Sequence, residues 1–291
     1  MIDPLFVHWH VDPVIFSIGP LEIRWYSLLF VSGFILGWYL FKWFFKREGK
    51  PVDKLLDPLL FTLMIATIVG SRLGHCIFYQ PDYYFGSWQG FLEIFQPWKG
   101  GLASHGGAIG ILFACWWYVA KYGKPNGFDL MWLLDRLVIC ICVCGALIRL
   151  GNFFNSEIYG NETSLPWGVI FARRGETVPK HPTQLYESLA YTLMAMFFWW
   201  IYWKKEEKLH RGWMFGVFLI LLFGFRFLIE FIKMPQVEFE ESMSLNMGQL
   251  LSIPFIIAGI VILVLSYKFK KAPMRVAPAA THYCPPPKKK K

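Results

Sequence analysis

Charged side chains are scarce in this sequence. Only 17% of its 291 residues are Asp, Glu, Lys or Arg, against 55% hydrophobic and 19% aromatic, a balance that excludes one or two water-soluble domains. A disulfide framework is lacking as well: of six Cys, Cys76, Cys115, Cys140, Cys142 and Cys144 sit inside apolar segments and Cys284 in a Pro-rich tail. The CICVC run at 140–144 has no His or fourth Cys at ligand spacing, so it reads as small buried hydrophobes and no metal is expected. No GxSxG element exists, and the adjacent Ser104 and His105 would point about 100° apart on a helix, which argues against an intramembrane serine hydrolase. Neither an internal repeat nor a matched pair of broken helices is found, so an inverted-repeat transporter gains no support.

What is abundant is apolar sequence in runs of about 20 residues, the length that crosses a hydrocarbon core. Seven such stretches lie near 21–45, 55–79, 102–120, 129–150, 184–203, 212–233 and 247–267. The first has no basic segment before it and is too long for a cleavable signal peptide, so it is expected to stay attached. The predicted fold is an all-α polytopic membrane protein of about seven transmembrane helices, forming one catalytic domain over 1–271. An extracytoplasmic arm (80–101) and a small polar head insertion (151–183) interrupt it, and a Pro- and Lys-rich tail (272–291) is expected to be disordered and cytoplasmic. The net charge of +9 is read as a topology signal rather than a nucleic-acid footprint. Nineteen of the 29 Lys and Arg residues fall in loops of one side and the tail, which sets that side as cytoplasmic and the N-terminus outside.

Ionisable groups inside spans are costly and need a partner, an aqueous cavity or a function. With this topology Arg24, Tyr26, Arg72, His105, Arg149, Arg226 and Glu230 all gather toward the outer leaflet. Asp135 and Arg136 lie nearer the cytoplasmic end and read as a structural pair or an interface anchor. Arg226 and Glu230, four apart, share a helix face. Arginines gathered at one membrane face suit a phosphate-bearing lipid, because guanidinium is the preferred phosphate partner, and a His beside them can act as a base. The densest motif is RLGNFFNSEIYG, Arg149 to Gly160, which sets Arg149, Asn152, Asn155 and Glu157 at headgroup level.

These residues resemble the signature of the bacterial prolipoprotein diacylglyceryl transferase family. The similarity extends through DPVIFSIGP (12–20), RWYSLLFVSGF (24–34), GSRLGHCIFY (70–79), GGLASHGG (100–107), HPTQLYE (181–187) and MGQLLSIP (247–254). The resemblance implies transfer of the diacylglyceryl group of phosphatidylglycerol to the lipobox Cys thiol of a prolipoprotein signal peptide. No cofactor or nucleic acid would take part, and the chain would act as a monomer in the bacterial inner membrane. It implies catalytic roles for His105, as base, and for Arg149 and Arg226, as phosphate or transition-state contacts. Tyr26, Asn152, Glu157, Gly160, Arg72 and Glu230 are implied to bind substrate. Two departures stand out: Ile148 where the family usually has Gly, and Leu222 where many members have Tyr. The alternative from a different class is a transporter or channel with an arginine-lined anion site.

Overall fold

The computed structural model describes residues 6–19, 21–96, 100–101, 103–205, 209–234 and 245–268. The N-terminal segment forms three short strands, β1 (Val7–His8), β2 (Val14–Ile18) and β3 (Leu21–Arg24). The chain then enters helices α1 (Trp25–Arg47) and α2 (Val52–Phe78), and two short helices, α3 (Pro81–Gly86) and α4 (Trp88–Ile94), build the arm. Helices α5 (Ser104–Tyr118) and α6 (Leu130–Phe154) follow, then strand β4 (Val169–Ile170) in the insertion, then α7 (Thr183–Lys205), α8 (Trp213–Ile229) and α9 (Met247–Lys268).

Each of the seven apolar stretches thus carries a helix. Among the described residues four helices, α1, α6, α8 with its 3-10 extension to Ile232, and α9, are long and apolar enough to cross a membrane, whereas α5 runs 15 residues as α-helix and continues as a π-helical turn, Val119–Gly123. Large apolar side chains point outward along the bundle, among them Ile35, Phe61, Phe113, Leu193, Ile257 and Val264, all more than half exposed. A water-soluble surface does not carry such a band; this is a helical membrane protein. The first apolar run begins as strand, because Leu21–Arg24 pairs antiparallel with Val14–Ile18 across a turn at Gly19, whose φ is +58°. The basic tail lies outside the described residues.

Close backbone approach ties the bundle together. A Cβ on Gly74 would lie 2.6 Å from the Cα of Gly106, and one on Gly110 3.1 Å from the Cα of Gly70, so only hydrogen at these positions lets α2 and α5 pack this tightly. Gly216 and Gly259 do the same for α8 and α9. At the end away from the arm, Asp135 and Arg136 do not pair with each other. Asp135 caps its neighbour α8, accepting from the backbone N–H of Gly212 (2.7 Å) and Phe215 (3.0 Å), which satisfies orphan donors at a helix start. Arg136 instead forks onto Glu48 at 3.0 Å, and Trp132 and Tyr202 donate to the same carboxylate. Two successive helical residues face different neighbours, so adjacency in sequence was the wrong guide.

At the opposite end the N-terminal strands join the insertion. β1 runs parallel to β4, Trp9 packs on Phe153 and Phe154, and the β2–β3 ribbon leads directly into α1. The head therefore needs both the N-terminus and residues 155–182, and it is not all-α.

Candidate functional site

Where α6 meets the head, the RLGNFFNSEIYG motif continues the helix to Phe154, and Asn155 forms its C-cap. Arg149 and Asn152 are three apart on one face, and Arg149 Nη1 donates to Asn152 Oδ1 at 3.3 Å. Asn152 and Asn155 pass this on, donating to Glu157 Oε1 at 2.7 and 3.2 Å. Ser156 and Ile158 adopt positive φ values of 52° and 61°, a backbone form rare outside Gly that recurs at functional turns.

The centre of the ionic network is a residue the sequence did not single out. Glu187, fully buried in the first turns of α7, pairs with Arg149 Nε at 3.1 Å and with Lys233 Nζ at 3.0 Å. Lys233 also lies 3.7 Å from Glu230, which in turn sits 3.8 Å from Arg226 Nε. One continuous chain of alternating charge thus runs from α6 through α7 to the end of α8. Glu187 is carried by the HPTQLYE motif at the head of an apolar helix, and that context is the signal that marks it. Lys233 closes the apolar run at 212–233, a place where a lone cation reads as an ordinary end-of-helix charge. Arg149 and Arg226 keep 14% and 25% of their side-chain surface exposed while their carboxylate partners are sealed at 0% and 7%. The cations therefore face the accessible side of the network. Gly248 at the start of α9 lies against Glu230, where any Cβ would overlap the carboxylate.

Other expected residues have distinct places. Tyr26, in the first turn of α1, packs over Gly151, where a Cβ would come within 2.8 Å of its ring. Arg72 is buried elsewhere: it donates to the backbone carbonyls of Glu93, Ile94, Gly100 and Gly101 and stacks on Tyr84, so it fastens the arm to α2. His105 stands in the first turn of α5, and its side chain lies outside the described residues. Ile148 lines an apolar cavity of about 240 Å³ with Phe30, Gly33, Phe34, Ile111 and Cys144. Leu222 is partly buried against the main core.

Gly160 sits at a crossing of three segments. Its N–H donates to His181 O at 2.8 Å and it bridges to Lys233, and a Cβ would lie 2.8 Å from both His181 Cβ and Thr183 Cγ2. Gly160→Ala is therefore expected to displace the start of α7 and Lys233, costing about 1–3 kcal/mol as overpacking does. Thermal unfolding in detergent would read this, and an unchanged melting temperature would count against it. In the head, Tyr159 donates to Glu176 at 2.7 Å, and burial together with that carboxylate pushes its phenol up to about 12. Asp12 is held below its usual range by the Val14 N–H and Arg173.

The fold and the site thus define a membrane helical bundle with a chain of alternating charges at one end, its arginines partly accessible and its carboxylates sealed. Comparison with known proteins gives the family. Residues 13–265 match the family described as prolipoprotein diacylglyceryl transferase, and the chain belongs to that family. It is 44% identical over 262 residues, 90% of its length, to the phosphatidylglycerol--prolipoprotein diacylglyceryl transferase of Tolumonas auensis, of which 98% is covered. The enzymes of the same name from Porphyromonas gingivalis (44%, with 92% of this chain and 97% of that one) and Chloroherpeton thalassium (42%, with 90% and 95%) are similar along their whole lengths.

Proposed function

We propose that this protein transfers the diacylglyceryl group of phosphatidylglycerol to the thiol of a lipobox Cys in the signal peptide of prolipoproteins. The observation that carries the reading is Arg149, anchored through Nε on buried Glu187 while 14% of its side chain stays accessible. That arrangement suits a lipid whose phosphate meets the guanidinium.

In the proposed step the substrate sulfur attacks the glyceryl carbon bonded to the phosphate ester. A carbon–sulfur bond forms, the carbon–oxygen bond breaks, and its electron pair leaves on glycerol phosphate. The phosphate passes from a diester with one negative charge to a monoester with a second charge developing. Arg149 and Arg226 meet that added charge, the kind of preorganised electrostatic stabilisation that dominates many enzymatic accelerations. A thiol is only a few per cent ionised at neutral pH, so a base is needed, and His105 takes that role in the proposal. Tyr26, Asn152, Glu157 and Glu230 hold the arginines and shape the headgroup site; Gly160 keeps α7 and Lys233 close. Arg72 is assigned to holding the arm.

The chain is taken to cross the bacterial inner membrane seven times, with α2, α5 and α7 completing the set, N-terminus outside, C-terminus cytoplasmic, acting as a monomer and without cofactor. The excess of Lys and Arg in the loops of one side and in the tail supports this orientation. The anion-transporter reading finds no support, since its relatives are transferases. Reconstitution of the purified protein with phosphatidylglycerol and a lipobox peptide tests the proposal. A thioether-linked diacylglyceryl peptide is the expected product, and its absence in intact, phosphatidylglycerol-containing vesicles would overturn it.

A further inference from the structure

The turn that follows α6 is fastened in an uncommon way. Ser156 and Ile158, one residue to either side of Glu157, stand at φ +52° and +61°, and a left-handed backbone is especially costly for a β-branched residue such as Ile158. Four successive carbonyls of this turn accept side-chain hydrogen bonds from elsewhere in the chain. Arg174, in the 3-10 turn Ala172–Arg174, donates to Asn155 O at 3.4 Å and to Ser156 O at 2.9 Å. Gln184 donates to Glu157 O at 2.7 Å and Thr183 to Ile158 O at 2.9 Å, both from the first turn of α7. Each left-handed residue therefore has the peptide groups on both of its sides held, Ser156 by Arg174 and Ile158 by Gln184 and Thr183. Backbone strain of this kind persists only where surrounding contacts enforce it.

The consequence reaches Arg149. Between the two left-handed residues, Glu157 turns its carboxylate back toward α6, where Oε1 receives the amides of Asn152 and Asn155 at 2.7 and 3.2 Å. A carboxylate only accepts, so it takes the NH2 end of Asn152 and leaves Oδ1 to accept from Arg149 Nη1. The same end of α7 carries Glu187, which holds Arg149 Nε. The guanidinium is thus fixed at one nitrogen directly from α7 and at another through a backbone turn that α7 and Arg174 hold in shape. Gln184 is a poor choice for stability alone. It is fully buried, and its Oε1 has no hydrogen-bond partner among the described residues, a cost that a purely structural side chain would avoid.

We infer that Gln184 and Arg174 are positioning residues for the transfer reaction, a role that rests on the transferase reading. They keep Ile158 and Ser156 left-handed so that Glu157, through Asn152, aims Arg149 at the charge developing on the leaving phosphate. In Gln184→Met the donor is lost with little change in volume, so Ile158 relaxes and Glu157 swings away. The kcat per folded protein, measured with purified enzyme in phosphatidylglycerol vesicles and a lipobox peptide, is expected to fall on the order of 10-fold, the factor that matches the cost of one left-handed residue. Ile158→Gly removes that cost without restoring a hydrogen bond. Added to Gln184→Met it is expected to recover most of the lost kcat, and alone it leaves kcat near that of the parent. Damage to packing alone would lower the melting temperature and would not be reversed by glycine at this position. Arg174→Met, on the exposed side of the turn, applies the same test through Ser156 with Ser156→Gly as its rescue, and it decides the matter if Gln184→Met does not fold. Unchanged kcat in the single variants, or losses that glycine does not recover, would overturn the inference. A parent protein that lipidates no peptide would instead overturn the transferase reading.

Discussion

Arg149→Ala is expected to lower the rate of peptide lipidation by on the order of 10²–10³-fold, the usual cost of removing one preorganised contact to developing charge. The loss is compounded because Glu187, fully buried, would keep Lys233 as its partner but lose the 3.1 Å pair with Arg149. Arg149→Lys is expected to recover little. A single ammonium cannot hold Asn152 and Glu187 and face a phosphate at once, as the forked guanidinium can. Single-turnover measurement with saturating phosphatidylglycerol separates the two contributions: a lost transition-state contact lowers the chemical step, whereas a lost binding contact raises KM alone. Full activity in both variants would exclude an essential role for Arg149.

Glu187→Ala should be the most damaging change to the fold of the site. Removing one partner of a buried ion pair costs about 3–5 kcal/mol, because the remaining charge is left without compensation. Here two cations, Arg149 and Lys233, depend on the same carboxylate, and Tyr191 lies beside it at 3.5 Å. Loss of folded protein after extraction and loss of transfer are both expected. The combination Glu187→Gln with Lys233→Met is expected to be milder for stability than Glu187→Ala alone, since it removes charge from both sides of one pair. Thermal unfolding of the single and combined variants in the same detergent would measure the difference, and a combination no better than Glu187→Ala would argue against the pairing.

Much of the site was legible because embedded charges stand out against apolar sequence. Arg149, Asn152 and Glu157 lie within nine residues of one motif, and helix periodicity places Arg149 and Asn152 on one face; the structure brings these three together. The same rule linked Arg226 to Glu230. Reading Asp135 and Arg136 as a pair ignored that rule, and they turn instead to α8 and to Glu48; the rule says nothing of where Arg72 points. Arginine in an apolar run is equally compatible with a ligand and with carbonyls from a returning loop, and here four carbonyls of the arm take it. The head was only half read, because β1 and β4 are two residues each; pairs that short leave no period-2 pattern to detect.

By itself the sequence determined the membrane class, the positions of seven helices and the motif that carries the family resemblance. These depend on local properties: the length of apolar runs, the residues that break them and the order of short motifs. The tertiary structure alone decided which charges meet. Glu187 and Lys233 are 46 residues apart, and Arg136 and Glu48 are 88 apart, so their pairing follows from helix packing that no local period encodes. In a low-dielectric interior a charge without a partner is prohibitive. The packing that brings α6, α7 and α8 together therefore also settles the electrostatics of the site.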